Sequence, residues 1–256
     1  LIIMGQHTGS FYVAAFFRFV LVMIGVLSSS IVNLIFLPPK FETKIYYNSM
    51  NISSDIFVWF KLVLNDTSEF HNIKQDGDQL NSRINKLEKI FDYYNEERPL
   101  TKKHIYQQNR KKILFREVVR TTRHAYEVLK RMSRYQNDLY QLNNQLLLQI
   151  KLELDSLVTL HEQIFKSLSK KARYDVTQLD YEVDNPQKKN LMDAFQQELI
   201  KNPHQTQYSY SNMMQIIAEI EEYRYQLEHL DRIRLSFFTY HRSDTDIDIS
   251  DEDFDL

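Results

Sequence analysis

The chain has 256 residues and a formal net charge of -2, which argues against a general polyanion binder. It contains no cysteine, so disulfides, thiolate zinc sites, iron–sulfur clusters and cysteine nucleophiles are all excluded. Only 4 Gly and 5 Pro stand beside abundant Leu, Gln, Lys, Glu and Arg, a composition that favours helices and leaves little turn chemistry for a sheet.

The first residues, Leu1 to Met4, read as the tail of an earlier hydrophobic segment, so the sequence is expected to be the C-terminal part of a longer protein. Residues 1–40 are assigned to the end of a transmembrane domain, with a last membrane helix at about 11–37. From Phe19 to Leu37 no charged residue occurs. About 20 apolar residues span a ~30 Å hydrocarbon core at 1.5 Å per residue. Pro38-Pro39 then stops the helix, because proline lacks an N–H and restricts the residue before it. A secretory signal fits poorly, since the run is too long and no small-x-small cleavage site follows. A buried helix of a soluble domain is the other alternative.

Flanking charge sets the expected orientation. Gly5 to Ser10 has no Lys or Arg, whereas Lys40 and Lys44 follow the exit, which places the C-terminal side in the cytoplasm. Arg18 then lies near the outer interface, where its stem lets it snorkel. Gly25 and Ser29 form a small-xxx-small pair suited to helix packing. Asn33 falls on the same face as Gly25 and Ser29, with Arg18 earlier on it. An Asn in hydrocarbon needs a partner, either another helix or a substrate.

Residues 41–242 carry helical periodicity almost throughout and are assigned to a cytoplasmic bundle of long antiparallel helices. Ile45, Ile52, Ile56, Trp59 and Val63 predict a helix over roughly 42–64. Asn65 to Gly77 is polar and reads as a loop. Leu80, Ile84, Leu87, Phe91 and Tyr94 follow at 4-3-4-3 spacing up to Pro99. A long helix is predicted from about Thr101 to Leu142, with a heptad-like seam of Leu114, Val118, Thr121, Ala125, Val128, Met132, Tyr135, Leu139 and Leu142. Ile150, Leu154, Leu157, His161, Ile164 and Leu168 mark another. Ala172 to Asn185 reads as a linker. Leu191, Phe195 and Leu199 mark a short helix, broken at Asn202-Pro203. The last helix carries Met213, Ile216, Ile220, Tyr223, Leu227, Leu230, Ile233 and Phe237. The seams read as narrower than a globular core stripe. Residues 243–256 hold seven acidic residues and are expected to be a disordered tail.

No chemistry-bearing constellation emerges. The helical di-iron spacing, the HExxH zinc motif and a phosphate-cradling Gly-rich loop are all missing from the sequence. No metal, cofactor or catalytic residue is assigned, and the chain is read as a non-enzyme. His161 lies on an apolar stripe and is expected to be a core histidine bonded to a neighbour. His229 is expected on a solvated helix face. Between Lys102 and Arg134 eleven Lys or Arg face only Glu117 and Glu127. That run suits pairing within the domain or with the acidic tail, or anionic lipid head groups; nucleic acid is disfavoured without a recognisable module.

Several phrases together resemble the bacterial aromatic acid exporter family, within the fusaric-acid-resistance-like transporters. They are Met4-Gly5-Gln6-His7-Thr8-Gly9, Arg18-Phe19, Ile24-Gly25, Val32-Asn33 and Pro38-Pro39-Lys40 in the membrane part. In the soluble part they are Arg116 to Arg123 (REVVRTTR), Leu129 to Tyr135 (LKRMSRY), His161-Glu162-Gln163-Ile164 and Tyr225 to Asp231 (YQLEHLD). The resemblance covers nearly the whole chain except the acidic tail. It implies the last membrane helix and the cytoplasmic domain of a multi-pass exporter of aromatic or other small organic acids in the cell membrane. Ser28 and Ser30 depart from the apolar or small residues expected there. On this reading the partners are the lipid bilayer, a second copy of the chain and a small organic acid, with Arg18 and Asn33 lining the pathway. The alternative is a membrane-anchored helical scaffold without transport activity.

Overall fold

The structure, a computed structural model, describes residues 10–36, 41–65, 70–97, 102–168, 191–201 and 208–240. The described residues are all-α, an apolar N-terminal helix followed by a helical domain. The chain divides into two units, Leu1–Lys40 and Phe41–Leu256. The first contains α1 (Ser10–Phe36). The second contains α2 (Phe41–Leu64), α3 (Phe70–Glu96), α4 (Lys102–Arg134), α5 (Gln136–Tyr140), α6 (Asn144–Leu168), α7 (Leu191–Lys201) and α8 (Tyr210–Tyr240). The stretch read as a linker and the acidic tail both lie outside the described residues.

Paired side chains give the helix directions. Glu42 of α2 meets Tyr94 of α3, and Asp55 meets Arg83, so these helices are antiparallel. Lys112 of α4 reaches Asn95 and Glu97, while Arg123 reaches Glu88 and Tyr126 reaches Gly77, so α4 returns antiparallel to α3. Along α8, Gln215 faces Arg131 and His229 faces Glu117, antiparallel to α4. On α6, Phe165 meets Tyr46 and Lys151 meets Asn65, antiparallel to α2. Helices α2, α4, α8 and α6 thus close a four-helix ring, and α3 fills the outer groove between α2 and α4.

The predicted stripes are buried as cores. Ile45, Ile52, Ile56 and Val63, then Ile84 and Leu87, then Val118, Ala125 and Met132, then Ile216, Ile220, Leu227 and Leu230 are all buried. Each of these Val, Leu, Ile and Met side chains contributes roughly 1.5–3 kcal/mol on burial. The seams are wider than expected. On α4, Phe115, Val119, Thr122, Tyr126 and Leu129 add a second buried row. The reason is geometric: α4 packs on α2, α3 and α8 together, and a helix with three neighbours needs more than an a/d stripe.

Two boundaries differ from expectation. Residues 70–77, read as loop, are helical and begin α3. Gln75 is exposed there, as are Asp78 and Gln79 just beyond, and the Gly77 carbonyl accepts a bond from Tyr126 Oη (3.1 Å). The long helix expected to reach Leu142 ends at Arg134. Tyr135 has φ -112 and ψ 30, outside the helical well, and α5 starts anew after it. The break is held from outside: the Asp138 carboxylate accepts bonds from the Ser209 amide (2.8 Å) and the Asn212 amide side chain (2.7 Å) at the start of α8.

Two helix C-termini are closed by distant side chains and one N-terminus by a local one. Lys112 Nζ donates to the carbonyls of Asn95 (2.7 Å) and Glu97 (2.8 Å) at the end of α3. Tyr140 Oη donates to the Val63 carbonyl (2.6 Å) at the end of α2. Asn143 caps α6, accepting from the Leu146 amide (2.7 Å).

Replacing Asp138→Ala leaves two donors without their shared acceptor. We expect a loss of about 1–3 kcal/mol of stability, read as a lower urea midpoint for the full chain in lipid nanodiscs. Exposed Asp155→Ala is the control, with a change within about 0.5 kcal/mol.

Candidate functional sites

The sequence-predicted site residues of the membrane segment all fall within α1. Its backbone is continuously helical, so Arg18, Gly25, Ser29 and Asn33 share one face. Arg18 and Ser29 are exposed; the side chain of Asn33 lies outside the described residues. Tyr12–Ser30, 19 residues, is long and apolar enough to cross a membrane, and none of it is buried in the protein. A Cβ added at Gly25 would meet nothing within 4 Å, so this face is smooth and open. Ser28 Oγ donates to the Gly25 carbonyl (3.0 Å), which satisfies that hydroxyl within its own helix.

The basic run of α4 pairs largely within the domain. Arg123 grips Glu88 with two parallel bonds (2.9 and 2.8 Å) and also reaches Asn81 and Asn85. Lys111 pairs with Glu42 (3.1 Å), Lys130 with Glu127 (2.9 Å) and Arg131 with Glu219 (3.9 Å). Arg116 and Arg120 turn to Glu117 instead. The side chains of Lys102 and Lys103 lie outside the described residues.

Two of the resemblance phrases face each other. REVVRTTR lies on α4 and YQLEHLD on α8, and antiparallel packing sets Glu117 opposite His229. Glu117 is 2% exposed. Its Oε1 accepts from Arg116 Nε (3.0 Å), while Oε2 lies 4.0 Å from both Arg120 Nη1 and His229 Nε2 and accepts no hydrogen bond. His229, expected on a solvated face, is only partly exposed and stacks on Tyr225, the ring planes 3° from parallel with centroids 6.3 Å apart. One turn on, Asp231 and Arg234 form a fully buried pair (2.7 Å) within α8. Sequence reasoning missed Glu117, Asp231 and Arg234 as buried groups. The only trace was their place within otherwise apolar spacing.

His161 is a core histidine, as expected. It is 1% exposed, bonds Tyr223 Oη through Nδ1 (2.7 Å), stacks on Phe165 (4.4 Å) and meets Phe57 edge-on (5.1 Å). Its Nε2 has no partner, and burial pushes its pKa down to about 3. Burial pushes the Tyr223 phenol up, so neutral groups share this bond. Glu221 is likewise raised by burial, opposed by Arg224, which also binds Glu153 of α6 (2.7 Å). Among the described residues no group of three or more His, Asp or Glu is placed to hold a metal ion.

The His161 shift has a definite sign. The folded pKa lies below the usual 6.5, so the unfolded chain binds the extra proton first. The contribution is fully present above pH 6.5 and is lost as pH falls toward 3. Between pH 7 and pH 4.5 this group should cost about 3 kcal/mol. His161→Phe is expected to lower stability at pH 7, because Tyr223 loses its partner, and to flatten the acid limb by that amount in urea titrations.

No known protein-family profile matches the chain, and no solved structure matches it. A curated relative does: over 240 residues the chain is 35% identical to the UPF0421 protein YgaE of Bacillus subtilis (strain 168). The alignment covers 93% of this chain and 66% of that protein, so the chain spans about two thirds of its relative's length.

Proposed function

We propose that this chain is part of an integral membrane transport protein that exports aromatic or other small organic acids. Its helical domain serves assembly or regulation on the cytoplasmic side. The observation that carries the membrane reading is α1: 19 consecutive residues apolar enough to span a bilayer, with none of them buried in protein. A helix with apolar residues all round is stable only when packed in a core or set in lipid. The polar face of Arg18, Gly25, Ser29 and Asn33 supports a place beside other membrane helices and the transported acid. The cargo class comes from the exporter resemblance. On the same reading Lys40 and Lys44 keep the domain in the cytoplasm.

These 256 residues contain no cysteine, which makes the topology of this chain directly testable. Ser10→Cys and Asn48→Cys, the latter an exposed position of α2, each introduce a single thiol into this chain. Labelling of intact cells with an impermeant maleimide should modify the first and spare the second until the membrane is opened. Modification of both in intact cells would overturn the orientation.

Transport is tested by efflux of benzoate-like acids from cells carrying the full-length protein. We expect Arg18→Ala to slow efflux about tenfold, the loss of one charge-assisted contact. Efflux no faster than in a deletion strain for every acid tried would leave the scaffold reading in its place.

A further inference from the structure

We propose that the acidic segment Asp244–Leu256 of this chain docks on the outward stripe of α4 between Ile105 and Arg120. Several cations of α4 are used within the bundle: Lys111 meets Glu42, Arg123 meets Glu88 and Arg131 meets Glu219, each on another helix. Among the described residues, Arg116 and Arg120 reach no acid on another helix. They share the single carboxylate of Glu117 on their own helix, with side chains 60% and 54% exposed. Across the seam, Arg232 of α8 is exposed and forms no ion pair among the described residues. This stretch of surface keeps a surplus of positive charge.

The stripe has an apolar part as well. Ile105, Asn109, Ile113, Arg116 and Arg120 recur at helical spacing along α4 and are all exposed, and Tyr106 beside Ile105 is exposed too. Between Ile105 and Arg120 the only acid of α4 is Glu117, which is buried. Apolar side chains in water beside undermatched guanidiniums are not a lone exposed residue but one continuous surface. A cover that satisfies both parts must be apolar and anionic together.

Residues 244–256 have that composition. Seven of them are acidic, none is Lys or Arg, and Ile247, Ile249, Phe254 and Leu256 are interspersed among the acids. They are also within reach. The pairs Glu117–His229 and Arg131–Gln215 set the register of α4 against α8, which brings Tyr240 level with Tyr106. From there Arg116 is about 15 Å further along α4 and one interhelical spacing of about 10 Å across. Asp248 follows Tyr240 by eight residues, up to about 27 Å of chain. Each exposed ion pair is weak alone. A segment tethered this close is held at an effective concentration of about a millimolar, so a weak contact is enough. Once docked, the segment screens Arg116 and Arg120 from other anions. The assignment stands apart from the transport reading, because it rests on the helical domain and the acidic segment alone.

The test uses the full chain in nanodiscs of zwitterionic phosphatidylcholine and two cysteines introduced into a chain that has none. Ile113→Cys on the stripe is combined with Ser250→Cys in the segment, and disulfide formation under mild oxidation is followed by mass. The disulfide should form within one chain. Its rate should exceed, by at least about fivefold, that of a control with Gln163→Cys in place of Ile113→Cys. Gln163 is an exposed position of α6, at the same end of the bundle but on the other side of α8. Arg116→Gln with Arg120→Gln should slow the reaction about fivefold, the loss of two weak pairs, with helix content unchanged by circular dichroism. Asp246→Asn with Asp248→Asn should do the same, and so should ~1 M salt, where the screening length falls to about 3 Å. A rate no greater than the control, or one indifferent to both sets of charge changes, would overturn the docking. A disulfide formed only between chains would assign the stripe to a second copy and overturn it equally. No disulfide, together with binding of phosphatidylglycerol vesicles that depends on Arg116 and Arg120, would make anionic lipid the occupant instead.

Discussion

The helical domain depends on the packing of α4 against three neighbours at once. With α2, α3 and α8 around it, α4 buries two rows of side chains rather than one seam. That leaves a narrow strip for its basic residues. Arginine and lysine cannot be buried alone, so the partly buried cations of the strip must find polar partners, several of them anions on an adjacent helix. Arg123 on Glu88, Lys111 on Glu42 and Arg131 on Glu219 are that solution. Each also reports register, because a shift of one turn along α4 would carry the cation about 5 Å from its partner.

Buried polar groups differ in whether they report that register. Asp231 and Arg234 lie i, i+3 on one helix, so their pair forms without help from another element. Removing both from water is expensive, and an apolar pair would serve stability as well or better. His161 with Tyr223 is a different device, since this bond exists only when α6 and α8 are docked. It ties the ring's last two helices together with neutral groups, and so carries no charge-burial penalty at neutral pH.

The hydrophobic stripes made most of this fold legible in the sequence. Nearly every stripe residue assigned to α2, α4, α6 and α8 is buried or packed against the core. Two kinds of information were not local. The first turns of α3 are helical but carry only Phe70 and Ile73 among polar residues, too few apolar positions for a periodicity to register. The break at Tyr135 is imposed by Asp138 bonding to Ser209 and Asn212, residues some seventy positions later in the chain. Glu117 was read as one anion in a basic run because its burial follows from what α8 places opposite it. The width of the α4 core was hidden likewise, since the number of neighbours is a tertiary fact. His161, set in an unbroken apolar stripe, was readable because its surroundings are local in sequence and all apolar.

The first unit poses the opposite physical problem. In α2 to α8 apolar faces find one another; in α1 the apolar surface runs right round the helix and is exposed. The helix nevertheless carries polar groups where lipid would penalise them. Ser28 escapes the penalty by bonding the Gly25 carbonyl one turn back. Gly25, which has no side chain, and Ser29, with a small one, share a strip of surface with Arg18 in the helical projection. A smooth strip flanked by an arginine is poorly matched to lipid tails alone, since it offers them little dispersion contact and one charge. It is well matched to another helix that approaches closely and to an anion held between them. The same residues that weaken α1 as a simple anchor are therefore the ones on which the proposed transport reading rests.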